Sequence, residues 1–187
     1  ECESAWTALR AILQEAPFLS FPDFSAPFYV ATDAGNTGVA AVLYQWTSPA
    51  AASSCAALPT FYSPDVRYVR FASRSLHSSE RNYSATKREL LAVVFALSKF
   101  HYYLWGRRFT LFSDHRALSF LFTQRDLSPL ISGWPEKLLD YTFEIVHCPG
   151  IRNVLPDHLT RLYPAFAFGK GVVDSVDSPS SQAPTIA

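Results

Sequence analysis

Residues Ser84 to Trp105 carry the tightest constraint on what this chain can fold into. Leu90, Val94, Leu97 and Leu104 recur along one side of a helical projection, with Leu91, Phe95 and Ser98 beside them. At 1.5 Å per residue that helix would be about 33 Å long, enough to cross a whole domain. An apolar surface of similar length must cover it, and Gly106 closes it in the manner of a C-cap. Its uninterrupted apolar run, Leu90 to Leu97, is far shorter than the roughly 20 residues a bilayer requires, so a soluble protein is expected. With 187 residues, 49% of them hydrophobic, the chain can build one domain with a real core.

The rest of the sequence supplies strands for that helix. Trp6, Leu9, Ile12 and Leu13 predict a short amphipathic helix that Pro17 ends, and residues 18–27 alternate prolines with aromatics as an extended connector does. Phe28 to Asp33 and Val39 to Trp46 read as the two arms of a hairpin broken at Ala34-Gly35-Asn36. Residues 47–60 are small, polar and proline-bearing, a loop or insertion, and a strand returns near Tyr68 to Ser73. After the long helix come a strand at Phe109 to Ser113, a short helix at Arg116 to Phe122, another at Pro135 to Tyr141, and an alternating strand at Thr142 to His147. A last helix is expected near Asp157 to Leu162, and a disordered tail after Gly169. Strands first, then a long helix, then strand, helix, strand and helix is the pattern of a mixed sheet covered by helices.

Sixteen Lys+Arg balance sixteen Asp+Glu, which excludes a strongly basic nucleic-acid binder; any polyanion must be held locally. The local excess lies between Arg81 and Arg116, where seven basic residues face only Glu89 and Asp114, with Tyr83, Tyr102 and Tyr103 interleaved. Phosphate binding and an ordinary solvated helix face fit that stretch equally. Cys2, Cys55 and Cys148 have no CxxC spacing, which excludes a disulfide scaffold or a thiolate zinc site and suits a reducing compartment. Methionine is absent, even at the start, as expected of a piece cut from a longer chain.

Four acids fall where an element begins or ends: Asp33, Glu89, Asp114 and Asp157. Each has a local explanation. Asp33 can close an Asx-turn, Glu89 can complete a capping box with Thr86, and Asp114 and Asp157 can each be an N-cap. Taken together they suggest a different chemistry. Hard divalent cations require several oxygen ligands, and two such ions about 3.5–4 Å apart can drive an in-line phosphoryl displacement. Spacing alone does not establish that the four converge.

The ordered segments FYVATDAGNTGVAAVLYQ, FASRSLHSSERNYSATKRELLAVVFALSKFHYYLWGRRFTLFSDHRALSFL, Trp134 with LLDYTFEIVHCPGIRN, and PDHLTRL carry a resemblance. In order and spacing, residues 28–163 resemble the ribonuclease H domain of reverse transcriptases from gypsy-like (Metaviridae) retrotransposons. Residues 1–27 resemble the segment that links polymerase to nuclease in that family, and 164–187 form the expected tail. The resemblance implies an α/β ribonuclease H-like fold, a five-stranded mixed sheet flanked by helices. It implies hydrolysis of the RNA strand of RNA·DNA hybrids with two Mg²⁺ ions, which Mn²⁺ can replace. Asp33 would touch both ions, Asp157 would help hold the one that delivers water, and Glu89 with Asp114 would hold the one facing the leaving 3′ oxygen.

By the same resemblance His147 is a candidate for proton transfer or product release, and His115, Tyr83 and Arg116 are candidate substrate contacts. His147 can equally be a strand-end residue. The implied partners are the hybrid and a polymerase domain of the same polyprotein, with no membrane; the implied location is a cytoplasmic retroelement particle or the nucleus. The sequence departs from the family's usual TDAS at Gly35, has Ala40 where a second glycine is usual, and reads PDHLTR in place of ADALSR. Residues 47–60 are longer than usual, and 128–133 lack the customary basic residues before Trp134. Two alternatives stay open: a silent hybrid-binding module of the same fold, which loss of an acid would favour, and an integrase-like enzyme, whose acids follow a different order.

Overall fold

The structure, a computed structural model, describes residues 3–4, 19–47, 65–121, 134 and 138–165, without the side chains of 119–121 and 162–165. The helix expected from Trp6, most of the 47–60 loop, the start of the helix expected at Pro135 and the tail after Gly169 lie outside these residues. Five strands form one sheet: β1 (Phe28–Ala34), β2 (Gly38–Trp46), β3 (Val66–Ser75), β4 (Arg108–Ser113) and β5 (Thr142–His147). The helices are α1 (Ala85–Leu104), α2 (Arg116–Leu121) and α3 (Val154–Ala165). The order across the sheet is β3-β2-β1-β4-β5. β1 to β3 form an antiparallel meander, whereas β4 runs parallel to both β1 and β5, so the sheet is mixed as expected.

Alternation decides which helix each strand residue meets. Phe28 and Val30 of β1, Ala41 and Leu43 of β2, and Phe109 and Leu111 of β4 pack with Leu90, Val93, Leu97, Phe100 and Leu104 of α1. On the other face Ala31, Val42, Tyr44 and Phe112 pack with Leu155 of α3. Ser84 caps α1, its Oγ accepting the Lys87 N–H at 3.3 Å, and Gly106 takes the positive φ of 69° that lets the chain leave the helix. α3 begins at Val154, three residues before the sequence suggests. Pro156 falls in its first turn, where the missing N–H has no helical acceptor to lose.

The chain before β1 is hooked onto the sheet by Gln45, a buried amide on β2. Its Oε1 accepts the Asp23 N–H at 2.8 Å, and its Nε2 donates to the carbonyls of Asp23 at 2.7 Å and Ala26 at 3.1 Å. Arg107 adds a hydrogen bond of 2.6 Å to the Phe24 carbonyl and stacks over that ring at 4.9 Å. Gln45→Leu keeps the volume but strands the Asp23 N–H and the Ala26 carbonyl, while the Asp23 carbonyl keeps the Ala26 N–H at 3.1 Å, at a cost of about 1–3 kcal/mol. Urea unfolding should show that loss together with faster amide exchange at Asp23; an unchanged midpoint and exchange rate would show the clamp to be inert.

Candidate metal centre

The register of β1 against β4 makes the site. Phe28 pairs with Phe109 and Ala31 with Phe112, in parallel. Carried two residues further, the same register sets Asp33 opposite Asp114 where both strands end. Both side chains leave the sheet on the face covered by α3, because they share parity with Ala31 and Phe112. Glu89 arrives from the first turns of α1. One oxygen from each of Asp33, Glu89 and Asp114 lies within 4.8 Å of the other two.

Such crowding changes the acids. Burial pushes the Asp33 carboxyl up to about 6, against the Thr160 hydrogen bond, and the charges of Asp114 and Asp157 add to the rise. Burial pushes Glu89 further, to about 9, with Asp33 and Asp114 contributing and the Ala34 N–H opposing. Glu89 Oε2 is buried without a hydrogen-bond partner. An orphaned carboxylate oxygen in an all-oxygen cluster fits a hard divalent cation such as Mg²⁺ or Mn²⁺. The half-buried Asp114 leaves the cluster open to solvent.

The local readings of these acids give way to this arrangement. Thr86 makes no capping box with Glu89; its hydroxyl meets His115 Nε2 at 2.8 Å, while Ser84 caps the helix. Asp114 lies two residues before α2 begins, and Asp157 lies inside the first turn of α3, so neither holds an N-cap position. Asp33 Oδ2 accepts the Thr160 hydroxyl at 2.8 Å.

Asp157 stands apart from the other three. Its Oδ1 accepts from Arg161 Nε and Nη2, each at 2.8 Å, one helical turn on. With Asp114, Gly150, Val154 and Arg161 it lines a cleft of about 360 Å³, and its charge is felt at Asp33. Gly150 keeps that cleft open, since a Cβ there would stand 3.3 Å from Asp114 Oδ2.

His147 is the last residue of β5, exposed, with Nε2 3.0 Å from the Asp114 carbonyl, which fixes the proton on that nitrogen. The contact ties the ring to the backbone of one of the clustered acids. His115 bridges the β4–α2 junction to α1 through Thr86, and its N–H donates to Ser113 Oγ at 3.2 Å. Tyr83 packs near Trp134, with their ring centroids 6.3 Å apart, and Lys87 Nζ sits 4.1 Å from the Tyr83 ring centre. Arg116 is exposed at the start of α2. Thr160, Asn153, Arg161 and Gly150 were not singled out from the sequence. Only the pairing of Asp157 with Arg161 had a readable signal, the i, i+4 spacing of opposite charges.

A five-stranded mixed sheet of this order, with carboxylates gathered where β1 and β4 end, is a ribonuclease H-like fold. It superposes on LC11-RNase H1, solved with an RNA/DNA hybrid, with a TM-score of 0.53 and 13% identity over 75% of this chain and 99% of that one. It also superposes on a foamy viral protease-reverse transcriptase solved with double-stranded DNA, with a TM-score of 0.52 and 16% identity over 76% of this chain and 24% of that one. Residues 23–141 match the family model described as the RNase H-like domain found in reverse transcriptase, and the chain belongs to that family. The match contains Asp33, Glu89 and Asp114 and ends before Asp157.

Among relatives, the Pol polyprotein of Drosophila melanogaster transposon 297 is 34% identical over 158 residues, 84% of this chain and 13% of the relative. That of Drosophila transposon gypsy is 33% identical over 160 residues, 84% of this chain and 14% of the relative. The chain thus spans only a small part of the length of these polyproteins.

Because the folded-state values of Asp33 and Glu89 lie above their ordinary values of 3.8 and 4.5, the folded chain holds protons that the unfolded chain has released. The metal-free protein should therefore lose stability as pH rises from about 4.5 towards about 9. Glu89→Gln should raise its melting temperature at pH 8, by about 2–4 °C for each kcal/mol gained. A variant that melts below the parent at pH 8 would contradict the assignment of strain to Glu89.

Proposed function

We propose that this chain is a metal-dependent endonuclease that hydrolyses the RNA strand of RNA·DNA hybrids, as the ribonuclease H part of a retrotransposon reverse transcriptase polyprotein. The observation that carries the reading is the meeting of Asp33, Glu89 and Asp114 oxygens within 4.8 Å, one of the three acids having an orphaned buried oxygen. Those three acids would hold two Mg²⁺ ions, or Mn²⁺ in their place, with Asp157 joining after a rotamer change that releases Arg161. Bound there, the ions would activate the attacking water and stabilise the leaving 3′ oxygen.

The protein's own residues set up that reaction. Asp33 and Asp114 are fixed by neighbouring strands, and Glu89 by a helix, so the ligand oxygens need little reorganisation. His147, held against the Asp114 carbonyl, would assist proton transfer or product release. Tyr83, Lys87, His115 and Arg116 form the polar and basic border of α1 and α2 on which a hybrid backbone would lie. Recognition would use groove shape and 2′-hydroxyls and not base identity. No described helix is long and apolar enough to cross a membrane. A polymerase domain of the same polyprotein is the proposed partner, in a cytoplasmic particle or the nucleus.

The silent-module reading is favoured by one observation, the engagement of Asp157 by Arg161 outside the three-acid cluster. A labelled hybrid separates the two. Cutting should require Mg²⁺ or Mn²⁺, and Asp114→Asn should remove it by at least about 100-fold with the circular dichroism spectrum unchanged; an inert parent in both metals, also when joined to its polymerase, would favour the silent module. His147→Ala should slow turnover with Mn²⁺ affinity preserved, and an unchanged rate would leave His147 a strand-end residue.

A further inference from the structure

α3 grips the end of β1 at successive points. Asn153, fully buried just before the helix, donates from Nδ2 to the Thr32 carbonyl at 2.9 Å. Thr160, 2% exposed, donates from Oγ1 to Asp33 Oδ2 at 2.8 Å. At Gly35 the backbone passes so close that a Cβ would stand 3.3 Å from Thr160 Cβ and 3.4 Å from its Oγ1. Thr160 Oγ1 is also 2.8 Å from the carbonyl of Asp157, the contact a threonine commonly makes within its own helix. One hydroxyl hydrogen cannot serve both acceptors fully, and an ionised carboxylate is the stronger of the two.

We infer that Thr160 is a positioning residue: its hydroxyl locks the carboxylate plane of Asp33, and Gly35 supplies the space that lets Thr160 reach it. The inference rests on the nuclease reading only for its link to turnover; the link to cation binding stands on the cluster itself. A carboxylate rotates about a broad terminal torsion, so without a partner its oxygens sample orientations that do not face Glu89 and Asp114. Tying one oxygen to a buried helical side chain removes that freedom. Losing a group that orients a metal ligand typically costs 10–100-fold in affinity or activity.

The test compares Mn²⁺ affinity, read by calorimetry on the metal-free chain, with hybrid cutting. Thr160→Val keeps the shape but removes the donor, and should weaken Mn²⁺ by about tenfold or more with the circular dichroism spectrum unchanged. Thr160→Ser keeps the donor and should stay within about threefold of the parent, on the scale of that same outer-shell effect. Gly35→Ala should weaken Mn²⁺ by displacing Thr160, and adding it to Thr160→Val should cause no further loss, because the two act through one contact. If Thr160→Val matches the parent, or Thr160→Ser falls as far as Thr160→Val, the inference is overturned while the nuclease reading stands. If the parent and Thr160→Ser bind Mn²⁺ alike, Thr160→Val binds it weakly and none of them cuts hybrid, the nuclease reading fails and the positioning role is upheld. A parent that binds no Mn²⁺ overturns both.

Discussion

The parallel pairing of β1 with β4 is the constraint on which the rest depends. It brings Asp33 and Asp114 to the same level of the sheet, at the ends of two hydrogen-bonded strands held about 4.8 Å apart by backbone geometry. Neither acid can move away without shifting its strand, and each strand is fixed by apolar residues on both faces. A slip of one residue would turn Asp33 towards α1 and Thr32 towards α3, reversing every contact between them. The like charges are therefore imposed by the same packing that holds the core together.

Their cost is spread unevenly. Glu89, as deeply buried as Asp33, takes the larger upward shift, whereas Asp33 has the Thr160 hydroxyl to offset part of its burial. Asp157, nearer to solvent, is neutralised by Arg161 within its own helix. The centre thus holds three acids in close contact and a fourth across a cleft, with an orphaned oxygen at the buried end. A fold selected for stability alone would gain by replacing Glu89 with an apolar residue.

The elements were readable from the sequence because their signals differ: α1 repeats apolar residues every three or four positions, β5 alternates, and β1 and β2 are rich in β-branched and aromatic residues on either side of a break. What periodicity does not carry is register, so nothing in the sequence alone set Asp33 against Asp114. Caps were misleading for a related reason. Thr86 and Glu89 satisfy the capping-box spacing, yet Ser84 caps the helix and Thr86 turns to His115, on a segment 29 residues away. Thr160 was invisible because its partner Asp33 lies 127 residues earlier. Pro156 fits the first turn of α3, because a proline there removes only an N–H that has no helical acceptor.

Gln45 bears on where the folded unit starts. It reads as an ordinary strand residue, yet it is 1% exposed and spends its whole amide on residues 23–26. A chain trimmed just before Phe28, where the first strand begins, would leave the Gln45 amide near the end of β2 without these partners. Those few upstream residues belong to the sheet's hydrogen-bond inventory although they are not strands, and whatever precedes them inherits a fixed point of attachment.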